Sequence, residues 1–178
     1  MEKKENSILG LVMSIIALIL LIIMLFIGSN PVTKYLYIAA SVLAAVFAII
    51  YFIKGGTKKA AIWRNLFCIL LMISLLISII RNIQLGKGAA DTICIIIVAV
   101  ITGYLAFAKD LGKKKSLGLA SAVVVLQLLQ LMPVITAQSG DGATRILGII
   151  STTLLVITLL DITYVKYYDK ESRKGVEE

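Results

Sequence analysis

Two glutamines three residues apart, Gln127 and Gln130, followed by Pro133, are the most chemically suggestive feature of this 178-residue sequence. They lie inside a long apolar run, where an amide side chain is costly and needs a reason. A spacing of three puts both amides on one helix face. Pro133 has no backbone N–H, so the carbonyl of Leu129, one turn earlier, is released from its helical bond. Two amides and a freed carbonyl can line a hydrated cavity or hold a polar ligand, as broken helices do in transporters. The same amides can instead bond to neighbouring helices as packing glue, worth about 1–2 kcal/mol or less. If the chain has a ligand site or a solute pathway, Gln127, Gln130 and Pro133 are where it is expected.

Arg64 and Asp161 are the ionisable residues set well inside apolar runs. Arg64 enters its run from one end and Asp161 leaves its own run at the same end, each roughly 5–6 Å inside the boundary at about 1.5 Å per residue. A pair between them would neutralise both charges, and it is expected as a structural clasp. The bland alternative is separate snorkelling, easy for the long arginine stem and harder for the short aspartate.

The remaining reactive residues exclude more than they suggest. There is no histidine, which removes the commonest metal ligand and the usual general base together. Cys68 and Cys94 fall at different depths, too far apart for a disulfide, and read as small apolar fillers. Asp91 and Asp141 belong to one face and Asp110 to the other, so no membrane-embedded aspartyl pair forms with Asp161. Gly-x-Ser-x-Gly and phosphate-binding loops are missing. The expectation is no enzyme, no metal and no cofactor.

The elements that must carry these residues are six apolar runs: Ile8–Gly28, Tyr35–Ile53, Ala61–Ile80, Thr92–Ala108, Leu117–Ala137 and Ile146–Val165. Each is roughly 17–21 residues, enough to cross a ~30 Å hydrocarbon layer, the fourth only barely. Hydrophobic residues are 60% of the chain and charged residues 16%, far from the balance of a soluble domain. The fold class expected is an all-α polytopic membrane protein with six transmembrane helices in one domain, residues 1–178. The first run follows Lys3 and Lys4 but is too long for a signal h-region, and no Ala-x-Ala site follows it. It is expected to be a retained helix.

All but four of the 18 lysines and arginines fall at the end shared by both termini and the second and fourth connections. Lys34, Arg81, Lys87 and Arg145 occupy the opposite end. The positive-inside rule then puts both termini in the cytoplasm. No basic stretch stands apart from an apolar run, so the net charge of +8 implies a membrane surface and not a nucleic acid. Abundant Lys and Ile, with no Asn-x-Ser/Thr sequon, point to a bacterial cytoplasmic membrane.

Lys3 and Lys4 recur 55 residues later as Lys58 and Lys59, and again as Lys113 and Lys114. Ala44 and Ala99, Phe52 and Phe107, and Lys54 and Lys109 share the offset. Three parallel hairpin units, residues 1–58, 59–113 and 114–178, would explain this. Uniform loops with positive-inside lysines would explain it as well. The glutamines have no counterparts in the other units, where Met72 and Leu75, then Ala17 and Leu20, stand.

Small residues at helical spacing mark helix contacts: Ala40, Ala44 and Ala48, then Ser74 and Ser78, then Ala99 and Gly103. Tyr35, Tyr37, Tyr51, Trp63, Tyr164, Tyr167 and Tyr168 are expected in an interfacial aromatic belt. So little polar machinery fits a non-catalytic accessory, regulatory or protective (immunity-like) component, acting through packing with the bilayer and a membrane-protein partner or second copy. The alternative is a small-solute transporter or channel built around the fifth helix.

Overall fold

In the computed structural model, residues 2–28, 32–54, 60–107, 113–136 and 142–174 are described, with side chains for 8–28, 32–54, 61–107, 115, 117–131 and 142–163. The apolar runs become six helices: α1 (Glu2–Phe26), α2 (Val32–Ile53), α3 (Ala60–Gln84), α4 (Ala89–Phe107), α5 (Lys113–Thr136) and α6 (Gly142–Lys174). Among the described residues there is no strand. A helix satisfies its backbone groups internally, which hydrocarbon demands. Five helices carry stretches long and apolar enough to cross a membrane, and α5 carries a shorter one, Leu117–Leu131. The fourth run, expected to be barely sufficient, begins three residues early and gives a 19-residue helix.

The surface matches that environment. Ile15, Ile19, Ile22, Leu36, Leu76, Ile96, Val100 and Leu128 all lie on the outside of the bundle. A multi-pass membrane protein buries its small and polar faces inward and turns such side chains towards lipid.

Successive helices pack side by side, and α6 closes the ring against α1. The α1–α2, α3–α4 and α5–α6 connections lie at one end, called here the turn end. Both termini and the other two connections lie at the opposite, terminal end. Two cross-helix contacts at the turn end fix this. Lys34 Nζ and Thr144 Oγ1 both donate to the carbonyl of Ile27, at 2.6 and 3.3 Å. A fully buried lysine thus sits at the C-terminal end of α1, bonded to the carbonyl of the residue that follows it, where the helix dipole favours a cation.

α3 ends in a Schellman motif. Lys87 N donates to Asn82 O at 3.0 Å and Gly86 N to Ile83 O at 3.1 Å. Gly86 takes φ +62°, the left-handed conformation that a helix C-terminus assigns to glycine. This stop sets Arg81 and Asn82 in the last turn of α3.

α6 touches every other helix, which neither α2 nor α4 does. Half of its apolar stretch is buried, against 28–39% for the other four spans. Its sequence explains this position: Thr144, Ser151, Thr152, Thr158 and Thr163 are all buried, small enough for close approach and able to bond to their own backbone. Ser151, Thr158 and Thr163 each donate to the carbonyl four residues earlier, at 2.7 to 2.9 Å. Packing therefore does not treat α2, α4 and α6 as equivalents, and the 55-residue spacing finds no support in it.

The small-residue stripes are helix contacts. Ala44 and Ala48 are fully buried in a core with Phe67, Leu71, Leu155 and Leu159. Gly103 faces Met72, whose Cε would lie 3.2 Å from an added Cβ.

Candidate functional site

A polar cavity of about 50 Å³ opens in the turn-end half of the bundle. Tyr37 of α2, Ser78, Arg81 and Asn82 of α3, Gln127 and Gln130 of α5, and Arg145 and Thr152 of α6 line it, with Leu75, Ile95, Gly148 and Ile149. Its volume holds a few waters or one small ionic group, given the ~10–15 Å³ that one water requires.

Both glutamines are in it, as a spacing of three on one face demands. Gln127 is 3% and Gln130 4% exposed. The backbone at Pro133 continues in helix α5, and its side chain lies outside the described residues. Gln130 Nε2 is buried with no hydrogen-bond partner, and so is Asn82 Nδ2. Burying an amide donor unpaired costs roughly 1–3 kcal/mol, so each is poised for an acceptor. Gln127 also borders an apolar crevice of about 130 Å³ with Val124, Leu128, Leu131, Ile150, Thr153 and Leu154.

The other polar groups are more fully engaged. Tyr37 Oη donates to Gly148 O at 3.0 Å and lies 2.8 Å from Thr152 Oγ1. Tyr37 is therefore a buried pin between α2 and α6, not a member of the interfacial belt. Arg145 pairs with Asp91 at 2.5 Å, each side chain 20% exposed, tying the start of α6 to the start of α4. Trp63 remains half-buried near the terminal end, with Phe47 at 5.4 Å and Lys54 Nζ at 5.0 Å from its ring centroid. Tyr164, Tyr167 and Tyr168 lie outside the described side chains, as do Asp110 and Asp141.

The cavity stops on an apolar floor. One turn deeper, Gln127 gives way to Val123 and Thr152 to Val156. Ile95 gives way to Val98 and Ala99, while Leu75 forms the bottom edge. These five residues make one buried cluster. Below it lies the larger core of Phe67, Leu71, Leu105, Leu155 and Leu159.

The expected Arg64–Asp161 pair is not formed. Asp161 Oδ2 accepts from the backbone N–H of Gly10 at 3.1 Å, while Arg64 Nη2 donates to Asn65 Oδ1 at 3.1 Å. Equal depth did not mean facing directions: Asp161 looks towards α1, and α3 packs chiefly on α2. Gly10 allows the approach, because a Cβ there would sit 2.5 Å from Asp161 Oδ2 and collide with the ring of Phe52. One turn along, Ser14 Oγ donates to Gly10 O at 2.7 Å and lies 3.4 Å from Thr158 Oγ1. Asp161, Gly10, Ser14 and Thr158 form a polar seam that joins the first and last helices.

Cys68 is buried, Cys94 half-buried, and both are free thiols. Among the described residues no three His, Cys, Asp or Glu side chains gather as metal ligands would. The fold and site define a six-helix membrane protein with a turn-end polar cavity. Comparison with family models, curated proteins and solved structures gave no match, so the residues themselves carry the functional argument.

Proposed function

We propose that this chain is a non-catalytic integral membrane protein that acts by recognition, as an accessory, regulatory or protective component, and does not conduct solutes. The observation that carries this reading is the apolar floor under the cavity. A solute entering between Arg81 and Arg145 would reach Gln127 and then meet Leu75, Val98, Val123 and Val156. Desolvating a polar solute through two apolar layers is prohibitive without a rearrangement.

Catalysis is poorly served. The cavity hydroxyls of Tyr37 and Thr152 bond to one another, and Asp91 is committed to Arg145. A nucleophile with an adjacent base is what covalent catalysis requires. The exposed Leu and Ile of the helices leave ample surface for a membrane-protein partner or a second copy.

The setting proposed is the cytoplasmic membrane of a bacterium, with the terminal end inside. Of the four basic residues at the turn end, Lys34 is buried at the end of α1 and Arg145 is paired. The orientation rests on the count of lysines and arginines at the two ends, four at the turn end against the remaining 14 of 18, by the positive-inside rule. Reporters fused after Glu178 and within residues 86–90 should report opposite compartments.

Flux tests the reading. Proteoliposomes of the unmutated protein should stay as tight to ions and small metabolites as protein-free vesicles. Saturable flux that disappears in the Gln127→Leu, Gln130→Leu double variant would instead establish the transporter or channel alternative.

A further inference from the structure

We infer that the turn-end cavity and the crevice beside it bind one acyl chain of a phospholipid, its ester carbonyl accepting from Gln130 and its hydrocarbon lying between α5 and α6. The inference rests on the recognition reading and names what the cavity recognises.

Gln127 joins the two spaces. It is 3% exposed and borders both the polar cavity of about 50 Å³ and the apolar crevice of about 130 Å³. Beyond it the crevice runs between Val124, Leu128 and Leu131 of α5 and Ile150, Thr153 and Leu154 of α6. Leu128 is 55% exposed, so the crevice opens on the outside of the bundle, where hydrocarbon is the solvent. A void with such a lining stays dry and takes apolar groups.

The amide donors supply the polar half. Gln130 is 4% exposed, and its Nε2 is enclosed without an acceptor. Asn82 Nδ2 is enclosed without one as well. A buried donor of this kind is costly until an acceptor reaches it. A carbonyl attached directly to a hydrocarbon chain meets both demands, and the acyl ester of a phospholipid is that group in a bilayer. The amides select an acceptor, and headgroup charge does not enter.

Depth gives the same order. Asn82 is in the last turn of α3. Gln130 lies six residues before Thr136, the end of α5, roughly 9 Å down at ~1.5 Å per residue. Val124 lies six residues further along α5, roughly another 9 Å. A phospholipid of the turn-end leaflet points the same way: polar group first, ester next, chain last.

The test uses full-length protein in neutral detergent, and native mass spectrometry with two phosphatidylcholines of the same chain length, one ester-linked and one ether-linked. The ether lipid keeps the headgroup and chains and lacks the carbonyl. The ester lipid should be retained about fivefold more strongly, the size of one neutral hydrogen bond. Gln130→Leu should abolish that preference, and Gln130→Met, unbranched like glutamine, reads the same loss if the leucine variant folds poorly. Val124→Phe fills the crevice and leaves the amides in place, so it should weaken retention of both lipids alike. Equal retention of the two lipids by the unmutated protein overturns the inference. So does an ester preference that survives loss of the Gln130 amide, or a Val124→Phe variant that retains both lipids unchanged. Vesicle tightness is read separately: leaky vesicles with the ester preference intact would refute the sealed reading and keep this one.

Discussion

The protein places polar side chains at two depths in the membrane and treats them in opposite ways. Near the terminal end, Asp161 accepts from Gly10 and Ser14 meets Thr158, closing a seam between α1 and α6. Near the turn end, Gln130 and Asn82 keep buried amide donors without acceptors, around a cavity with room for a small group. The seam has glycine where side chains would intrude and leaves no space. The cavity has long side chains held apart. Polar residues in hydrocarbon are thus no single signal: some are satisfied across helices and hold them together, and others, such as Gln130 and Asn82, border a cavity without an acceptor.

The largest way to break the comparison is at Gly10. Gly10→Ala inserts a methyl group against Phe52 and Asp161 Oδ2, and should cost about 2–3 kcal/mol through overpacking and loss of the carboxylate's donor. Unfolding in mixed micelles measures it. A cost under about 0.5 kcal/mol would show the seam to be loose.

The rim of the cavity comes next. Arg145→Met leaves Asp91 without its partner at partial exposure, and should cost about 1–2 kcal/mol by the same assay. Asp91→Asn in that background should return part of the loss, because a neutral amide tolerates burial better than a lone carboxylate. No recovery would mean that Arg145 acts through packing alone.

The smallest effect is the sharpest contrast. Gln127→Leu with Gln130→Leu should change stability by less than about 0.5 kcal/mol, or raise it, since an unpaired donor is replaced by an apolar group. A loss of about 2 kcal/mol would make the glutamines packing glue and erase the distinction between the two regions.

Much of this arrangement was legible in the sequence. The six apolar runs became α1 to α6 because length and composition decide membrane helices without help from tertiary contacts. Gln127 and Gln130 shared a cavity because a spacing of three fixes a common face. What sequence could not supply was azimuth, the direction in which a residue faces around the bundle axis. Arg64 and Asp161 matched in depth and still faced different neighbours. Tyr37 sits close enough to a helix end to read as a belt residue, and only the packing of α2 on α6 turns it inward to Thr152. Gly10 carried no signal, since nothing local shows that a carboxylate 151 positions away needs its amide. Asp91 and Arg145 were both assigned to the turn end, but so were Asp141, Lys34, Arg81 and Lys87, and end assignment alone does not choose among the pairs they could form.

The central claim is that the polar cavity ends at the layer of Val123 and Val156. Thiol accessibility tests it most directly, in a background with Cys68→Ala and Cys94→Ala. Thr152→Cys and Val156→Cys stand one turn apart on α6, above and below the proposed floor. In intact membranes, silver ion, a thiol-reactive cation small enough for the cavity of about 50 Å³, should react with Thr152→Cys from the turn side and protect it from later alkylation after denaturation, and should leave Val156→Cys unprotected from either side. Modification of Val156→Cys at a rate comparable to Thr152→Cys would place water beneath the floor and contradict the account.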